Sequence, residues 1–299
     1  MVLHTADSFG VESVNNLLKW RFGWGIPVFV MISGALFLEQ SANYDIKRIY
    51  SRNIKKMLIA FLIWVPFYDV VCCAVDNNFL FRNFLVNARL QHLWFLLMIS
   101  GLYMIVPFLR EITKSKPLTK YFLILSLIFA FIIPQVLLLT AKDQTEISRV
   151  LNNFIKCFYF YFTLGYVGYF VLGHMLDKSG ISVKFEIIIY ILGVISIIFW
   201  GSRYGDYFSL NTLAVSTAIF VFFKKHSPNG IIANKILKFI SSHCFGIYLL
   251  HCLFCGISGH FNGILEYFGI PNTAFIVFIA SFVLAFMCKK IPVIKNIIP

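Results

Sequence analysis

The sequence predicts an all-α protein that lives in a membrane, a polytopic bundle of transmembrane helices. Three observations predict it. Hydrophobic residues fill 59% of the 299 positions and charged residues only 13%, whereas about a quarter of a soluble chain is charged. The apolar residues gather into windows of about 20, the length a helix needs to cross a hydrocarbon core about 30 Å thick. Short connectors carrying Lys and Arg separate these windows. Inside lipid the backbone must satisfy its own hydrogen bonds, so runs of this kind fold as helices.

About nine windows follow one another along the chain. The first spans 22–38 and contains WGIPVFVMISGALFL; the second spans 57–75, after a basic run from Lys47 to Lys56. The third, 93–109, opens on His92, Leu93 and Trp94, and the fourth, 121–139, follows Lys114, Lys116 and Lys120. The fifth covers 153–172, the sixth 185–201, and the seventh 207–223, closed by Lys224 and Lys225. The eighth covers 239–257 and the ninth 273–288, ended by Lys289 and Lys290. No connector is long enough for a soluble domain of about 50 residues, and no repeat appears, so residues 1–299 read as a single integral membrane domain.

Orientation follows from the basic residues, which are retained on the cytoplasmic side of short loops. One alternating set of connectors holds 18 of the 26 Lys and Arg and the other holds seven, with Lys156 just inside the fifth span. This places the C-terminus in the cytoplasm and the protein in the inner or plasma membrane. Nine spans then put the N-terminus outside, with no apolar segment to carry residues 1–20 across. Either a short N-terminal tail is translocated or a first helix is missing from this chain, and the missing helix is the expectation.

The net charge of +13 raises nucleic acid as a partner, but recognition needs basic residues gathered on a solvated face. Here they are scattered among apolar runs, which excludes nucleic acid and points to anionic membrane lipids. The seven cysteines, including the C-x-x-C pair Cys252 and Cys255, all lie in apolar stretches. No disulfide framework is expected, the pair reads as packing, and neither a metal centre nor a bound cofactor is predicted.

Ionisable groups inside a bilayer are costly, so a histidine in a span marks a candidate site. His251 closes SSHCFGIYLLH in the outer half of the eighth span. Ser241, Cys244, Tyr248, His251 and Cys255 recur at steps of three and four, one helical stripe, where interhelical hydrogen bonding is the simplest use of such groups. His92 opens the third span near the same membrane face, Tyr103 lies on its side of the helix, and Trp94 suits the interfacial belt. His4 belongs at the outer end of the missing helix. Neutral imidazole takes up a hydroxyl proton near neutral pH, so outer-face histidines suit transfer to an alcohol. Ser33 and Gly34 fall in the inner half of the first span, where small residues permit close helix contact. That depth separates Ser33 from the histidines and rules it out as a nucleophile. Asp69 and Lys156 are the other intramembrane charges; each calls for a partner or a polar cavity, and snorkelling also accounts for Lys156. The cytoplasmic run that includes Arg52, Lys55 and Lys56 either satisfies the orientation rule alone or holds phosphates.

Several of these segments together resemble membrane acyltransferase family 3, which O-acylates bacterial surface polysaccharides. The resemblance rests on Pro27, Phe29, Ile32, Ser33 and Gly34; on His92, Leu93, Trp94, Phe95, Leu96, Tyr103 and Pro107; and on Ser241, Phe245, Gly246, Ile247, Tyr248, Leu249 and His251, with FYFTLGYVGYF at 160–170 similar to a middle helix. Family members have ten spans and open with an arginine followed eleven positions later by a histidine; Val2, Leu3 and His4 look like the end of that helix. Ahead of the second span the family often shows an arginine and a proline, where this chain has Lys56 and Ala60.

The resemblance implies an acyltransferase that moves an acyl group, most often acetyl from acetyl-CoA, to a sugar hydroxyl of a surface polysaccharide or a lipid-linked glycan precursor. Acyl-CoA is then a substrate and no cofactor stays bound. His4, His251 and Tyr248 take the catalytic positions, and His92, Trp94, Tyr103, Ser33 and Ser241 line the substrate. Arg52, Lys55 and Lys56 face the donor. The competing reading is a non-enzymatic polytopic protein, a transporter or flippase, or an inactive truncated paralogue. The inverted repeats and broken helices of transporters are not evident.

Overall fold

The computed structural model describes residues 23–40, 45–76, 92–140, 146, 149–150, 153, 160–199, 207–228, 230–260 and 262–291. All regular structure among them is helical. In chain order the helices are α1 (Gly25–Phe37), α2 (Ile46–Arg48), α3 (Lys55–Asp76), α4 (Trp94–Met104), α5 (Val106–Lys114), α6 (Lys116–Ser126), α7 (Ile133–Thr140), α8 (Phe160–Lys178), α9 (Val183–Phe199), α10 (Leu210–Lys225), α11 (Ile231–His260) and α12 (Asn262–Lys289). Two π-helical stretches, Ile49–Ile54 and Leu127–Ile132, join α2 to α3 and α6 to α7.

A helix lies within each apolar window, but length and apolarity qualify fewer of them as spans. Lys116–Val136, Ile231–Cys255 and Asn272–Lys289 are long and apolar enough to cross a membrane, and Trp94–Met104 with Val106–Lys114 makes a fourth if that pair is one broken span. α1 has 13 residues and so reaches only about 20 Å at 1.5 Å per residue. The continuous span expected over 93–109 is broken at Ile105, between α4 and α5. Pro107 accounts for the break: it has no N–H to donate, its ring crowds the carbonyl four residues back, and it therefore sits in the first turn of a new helix.

The surface is that of a protein in lipid. Leu62 and Phe108 are 69% and 72% exposed, and long apolar side chains such as Leu36, Ile198 and Ile232 share that exposure. In water such surface would be a liability, whereas against acyl chains it carries no penalty. Apolar helices and exposed apolar side chains together make this a membrane protein.

Two compact units divide the chain: Met1–Asn15, Asp45–Met104 and Pro228–Pro299 in one, Asn16–Tyr44 and Ile105–Ser227 in the other. In the first unit α3, α4, α11 and α12 enclose a core of Trp64, Tyr68, Leu93, Leu96, Leu249 and Ala285 with their neighbours. Phe239 and His243 of α11 meet Phe282 of α12 at ring separations of 5.7 and 5.4 Å.

The second unit is built on small residues. A Cβ added to Gly34 of α1 would lie 1.8 Å from the Phe170 carbonyl oxygen of α8, and one added to Gly173 would lie 2.1 Å from that of Met31. Only hydrogen at both positions lets these two backbones touch. Arg110 then caps the end of α1, donating to the carbonyls of Phe37 (3.2 Å) and Gln40 (3.3 Å), while Gln40 donates back to the Arg110 carbonyl (2.9 Å). A cation at a helix C-terminus also complements the helix dipole.

Candidate functional site

Two histidines from opposite ends of the first unit meet in its core. His92 occupies the turn that opens α4, where its carbonyl accepts from the Phe95 N–H (3.4 Å). Tyr248, His251 and Cys252 lie on consecutive turns of α11. The rings of His92 and His251 are 4.9 Å apart and edge-on, and Tyr248 lies 5.3 Å from His92. His92 and His251 are both about 95% buried.

Neutral hydrogen bonds to backbone hold the cluster. The Tyr248 hydroxyl donates to the His92 carbonyl (2.5 Å), tying α11 to the mouth of α4 across 156 residues of sequence. Tyr68 of α3 donates to the Leu249 carbonyl (2.6 Å) and sets its ring 5.2 Å from His92. A carbonyl oxygen only accepts, so His251 must donate through Nδ1 to the Tyr248 carbonyl (2.7 Å). In the neutral ring this sets the Nδ1–H tautomer and turns the Nε2 lone pair of His251 toward Cys252, whose Sγ is 3.5 Å away. Nearby, the buried Trp64 indole Nε1–H has no partner among the described residues, and its ring is 5.9 Å from Tyr68. An unmet buried donor costs about 1–3 kcal/mol.

The remaining candidates separate. His4 lies outside the described residues, as do Lys156 and the side chain of Asp69. Trp94 is half-buried at the start of α4 and packs edge-on against Phe95, and Tyr103 is buried near the end of the same helix. Ser33 is half-buried in α1 of the second unit. Ser241 is exposed and donates to the Lys238 carbonyl of its own helix (3.1 Å). Within the stripe Ser241, Cys244, Tyr248, His251 and Cys255, the first two are exposed and His251 and Cys255 are buried, so only its later half enters the core. Cys252 and Cys255 are free thiols, and of the two it is Cys252 that meets the histidines.

Of the three basic residues assigned to the donor, Arg52 and Lys55 are exposed. Lys56 is half-buried, with Nζ 4.8 Å from the centre of the Phe245 ring. Burial pushes the Lys56 pKa down from its ordinary value, and the positive charge of Lys289 pushes it further the same way. Lys289 donates to the Ser242 carbonyl (2.5 Å), which leaves two cations close together at one end of this unit.

Sequence reasoning missed Tyr68, Trp64 and Cys252. Trp64 and Tyr68 stand four residues apart and so share a helix face, but a chain with 34 Phe and 14 Tyr offers many such pairs. The choice among them depends on contacts between α3, α4 and α11 that are distant in sequence.

The first unit of this helical membrane protein thus buries two imidazoles beside two tyrosine hydroxyls. The chain belongs to membrane acyltransferase family 3, matching the family's acyltransferase domain over residues 1–289. No curated protein and no solved structure matches it. The matched residues include every member of the cluster and, apart from residues 290–299, both compact units. The protein is therefore a membrane acyltransferase.

Proposed function

We propose that the protein transfers an acetyl group from acetyl-CoA to a sugar hydroxyl of a cell-surface polysaccharide or its lipid-linked precursor. The observation that supports this reading most is the meeting of His92 with Tyr248 and His251, because two of the motifs that carry the family resemblance form one buried polar cluster. An enzyme that activates an alcohol needs neutral imidazole held in a fixed tautomer, and the Nδ1–H bond of His251 supplies that.

In this reading His4, the residue aligned with the family's opening histidine, removes the acceptor hydroxyl proton. The alkoxide oxygen attacks the thioester carbonyl, the C–S bond breaks, and the coenzyme leaves as a thiolate that takes up a proton. His251 and His92 orient the acceptor. Tyr248 and Tyr68 are positioning residues, since their hydroxyl protons are committed to backbone carbonyls. Trp64 Nε1–H, lacking a partner among the described residues, offers a donor to an acceptor oxygen. Lys56, with Arg52 and Lys55, receives the donor phosphates, whose negative charge relieves the repulsion between Lys56 and Lys289. The whole chain acts as one domain of nine spans with a cytoplasmic C-terminus in the inner or plasma membrane.

The test uses the full chain in membranes supplied with radiolabelled acetyl-CoA and a hexose polymer. Label should enter the polymer as a base-labile ester and vanish with His4→Ala. Undiminished transfer by that variant overturns the role of His4, and movement of glycan across the membrane without consumption of acetyl-CoA overturns the transferase reading. A C-terminal reporter active only in the cytoplasm checks the orientation.

A further inference from the structure

We propose that His92, His251 and Cys252 form a binding site for one thiophilic transition-metal ion, of which zinc(II) is the natural probe. All three side chains are buried, and their ligand atoms lie within 4.8 Å of one another. Two imidazole nitrogens and one thiolate make a donor set that suits zinc and copper(I) and is poor for calcium or magnesium.

The geometry is already close to that of a bound ion. A tetrahedral zinc with Zn–S of about 2.3 Å and Zn–N of about 2.05 Å holds its sulfur and nitrogen ligands about 3.5 Å apart. Cys252 Sγ and His251 Nε2 are 3.5 Å apart. To complete the set, His92 moves inward until its nitrogen stands about 3.3 Å from that of His251, a shift within reach of side-chain rotation.

The surroundings supply what metal-binding histidines require. The Nδ1–H of His251 is bonded to the Tyr248 carbonyl, so Nε2 presents its lone pair; a backbone carbonyl in this role orients the ring and raises its basicity. The Tyr248 hydroxyl fixes the backbone of His92, and Tyr68 fixes the carbonyl of Leu249, two residues before His251. Both histidine-bearing segments are thus held by bonds that metal binding leaves intact. Three protein ligands leave the fourth coordination position open, the arrangement of sites that admit an exogenous group. Because the ion takes the Nε2 lone pair of His251, its occupancy opposes acyl transfer. That inhibition rests on the acyltransferase reading; the binding does not.

The experiment titrates the purified full chain in detergent with cobalt(II), which reports sulfur ligation through a thiolate-to-metal charge-transfer band, and then displaces it with zinc(II). The expected result is one equivalent of metal per chain, a charge-transfer band, and release of about one proton from the Cys252 thiol. Cys252→Ser abolishes the band and His92→Ala weakens binding by about 100-fold or more, while Cys244→Ser, remote from the cluster, changes neither. Cys252→His keeps a ligand without sulfur: it binds cobalt with no charge-transfer band, which separates loss of a ligand from loss of fold. Absence of stoichiometric binding, or a band that survives Cys252→Ser, overturns the site. Acetyl transfer is measured on the same samples. Tight binding without inhibition leaves the site standing and removes its link to the chemistry, and binding by a chain that transfers no acetyl group even before metal is added counts against the acetyl-transfer reading alone.

Discussion

Every ion pair among the described residues belongs to the second unit, where Glu39 meets Lys178, Glu186 meets Lys225 and Asp177 meets Lys224. Both units also use side-chain bonds to backbone carbonyls, Ser126 to Leu164 and Tyr169 to Tyr207 in the second, but in the first these alone join the described core: Tyr68 to Leu249, Tyr248 to His92, His251 to Tyr248. Glycine contacts such as Gly34 on Phe170 also join helices of the second unit, and its charged pairs sit toward helix ends. A buried fixed charge beside an imidazole would shift its protonation, whereas the three bonds that hold the His92 and His251 segments are made to neutral backbone carbonyls.

Four substitutions, with Lys178→Met as a control for the first, sharpen or break this contrast, in falling order of expected effect. His251→Ala should lower acetyl transfer by about 100-fold through lost positioning, compared at equal folded fraction in detergent. An equal loss from Lys178→Met, which breaks an ion pair of the second unit, would erase the functional distinction between the units. Gly34→Ala should destabilise the second unit by up to about 3 kcal/mol, because its Cβ meets backbone that cannot rotate aside. Proteolysis of α1 and α8 in micelles reads the effect, and wild-type resistance would mean that the contact is looser than described.

Tyr68→Phe comes next. It removes one neutral hydrogen bond, worth about 1 kcal/mol, and should lower kcat more than it raises KM if Tyr68 positions His92 as well as stabilising the unit. A loss of stability with unchanged kcat would make Tyr68 purely structural.

Lys56→Gln is the smallest effect and is read through pH. The folded-state pKa of Lys56 lies below its ordinary 10.5, so the folded protein gives up this proton before the unfolded chain does. Stability from this group is lowest while Lys56 is charged, rises with pH through the lowered value, and levels off near 10.5. Lys56→Gln should flatten that rise and weaken the stabilisation conferred by acetyl-CoA. An unaltered response to acetyl-CoA would remove Lys56 from the donor site.

Helix positions were legible in the sequence because a window of apolar residues decides them locally, and a helix occupies each window. Where the helices break was less so. Pro107 was visible and ends α4, yet Pro66 lies inside α3 without interrupting it, and which proline breaks a helix depends on its neighbours. The π-helical stretch Leu127–Ile132 leaves no periodic trace, since one inserted residue shifts the phase of an already uniform apolar run; Ile49–Ile54, in the short basic run before α3, is too brief to show a period. Within the site, His92 and His251 were found singly by the cost of burying an imidazole. Their contact was not, because depth in a membrane is one coordinate and pairing needs the other two. Cys252 was hidden for a related reason: it read as half of a C-x-x-C, while its actual neighbour is the histidine beside it in the chain.

The touching backbones of α1 and α8 also set a schedule for the nascent chain. Gly34 leaves the ribosome 136 residues ahead of Phe170, an interval of roughly 7–27 s at 5–20 residues per second. For that time α1 has no α8 to lie against. Its final seating is therefore a late event of synthesis, and a chain halted before Phe170 leaves α1 without the surface that its glycine was shaped to meet.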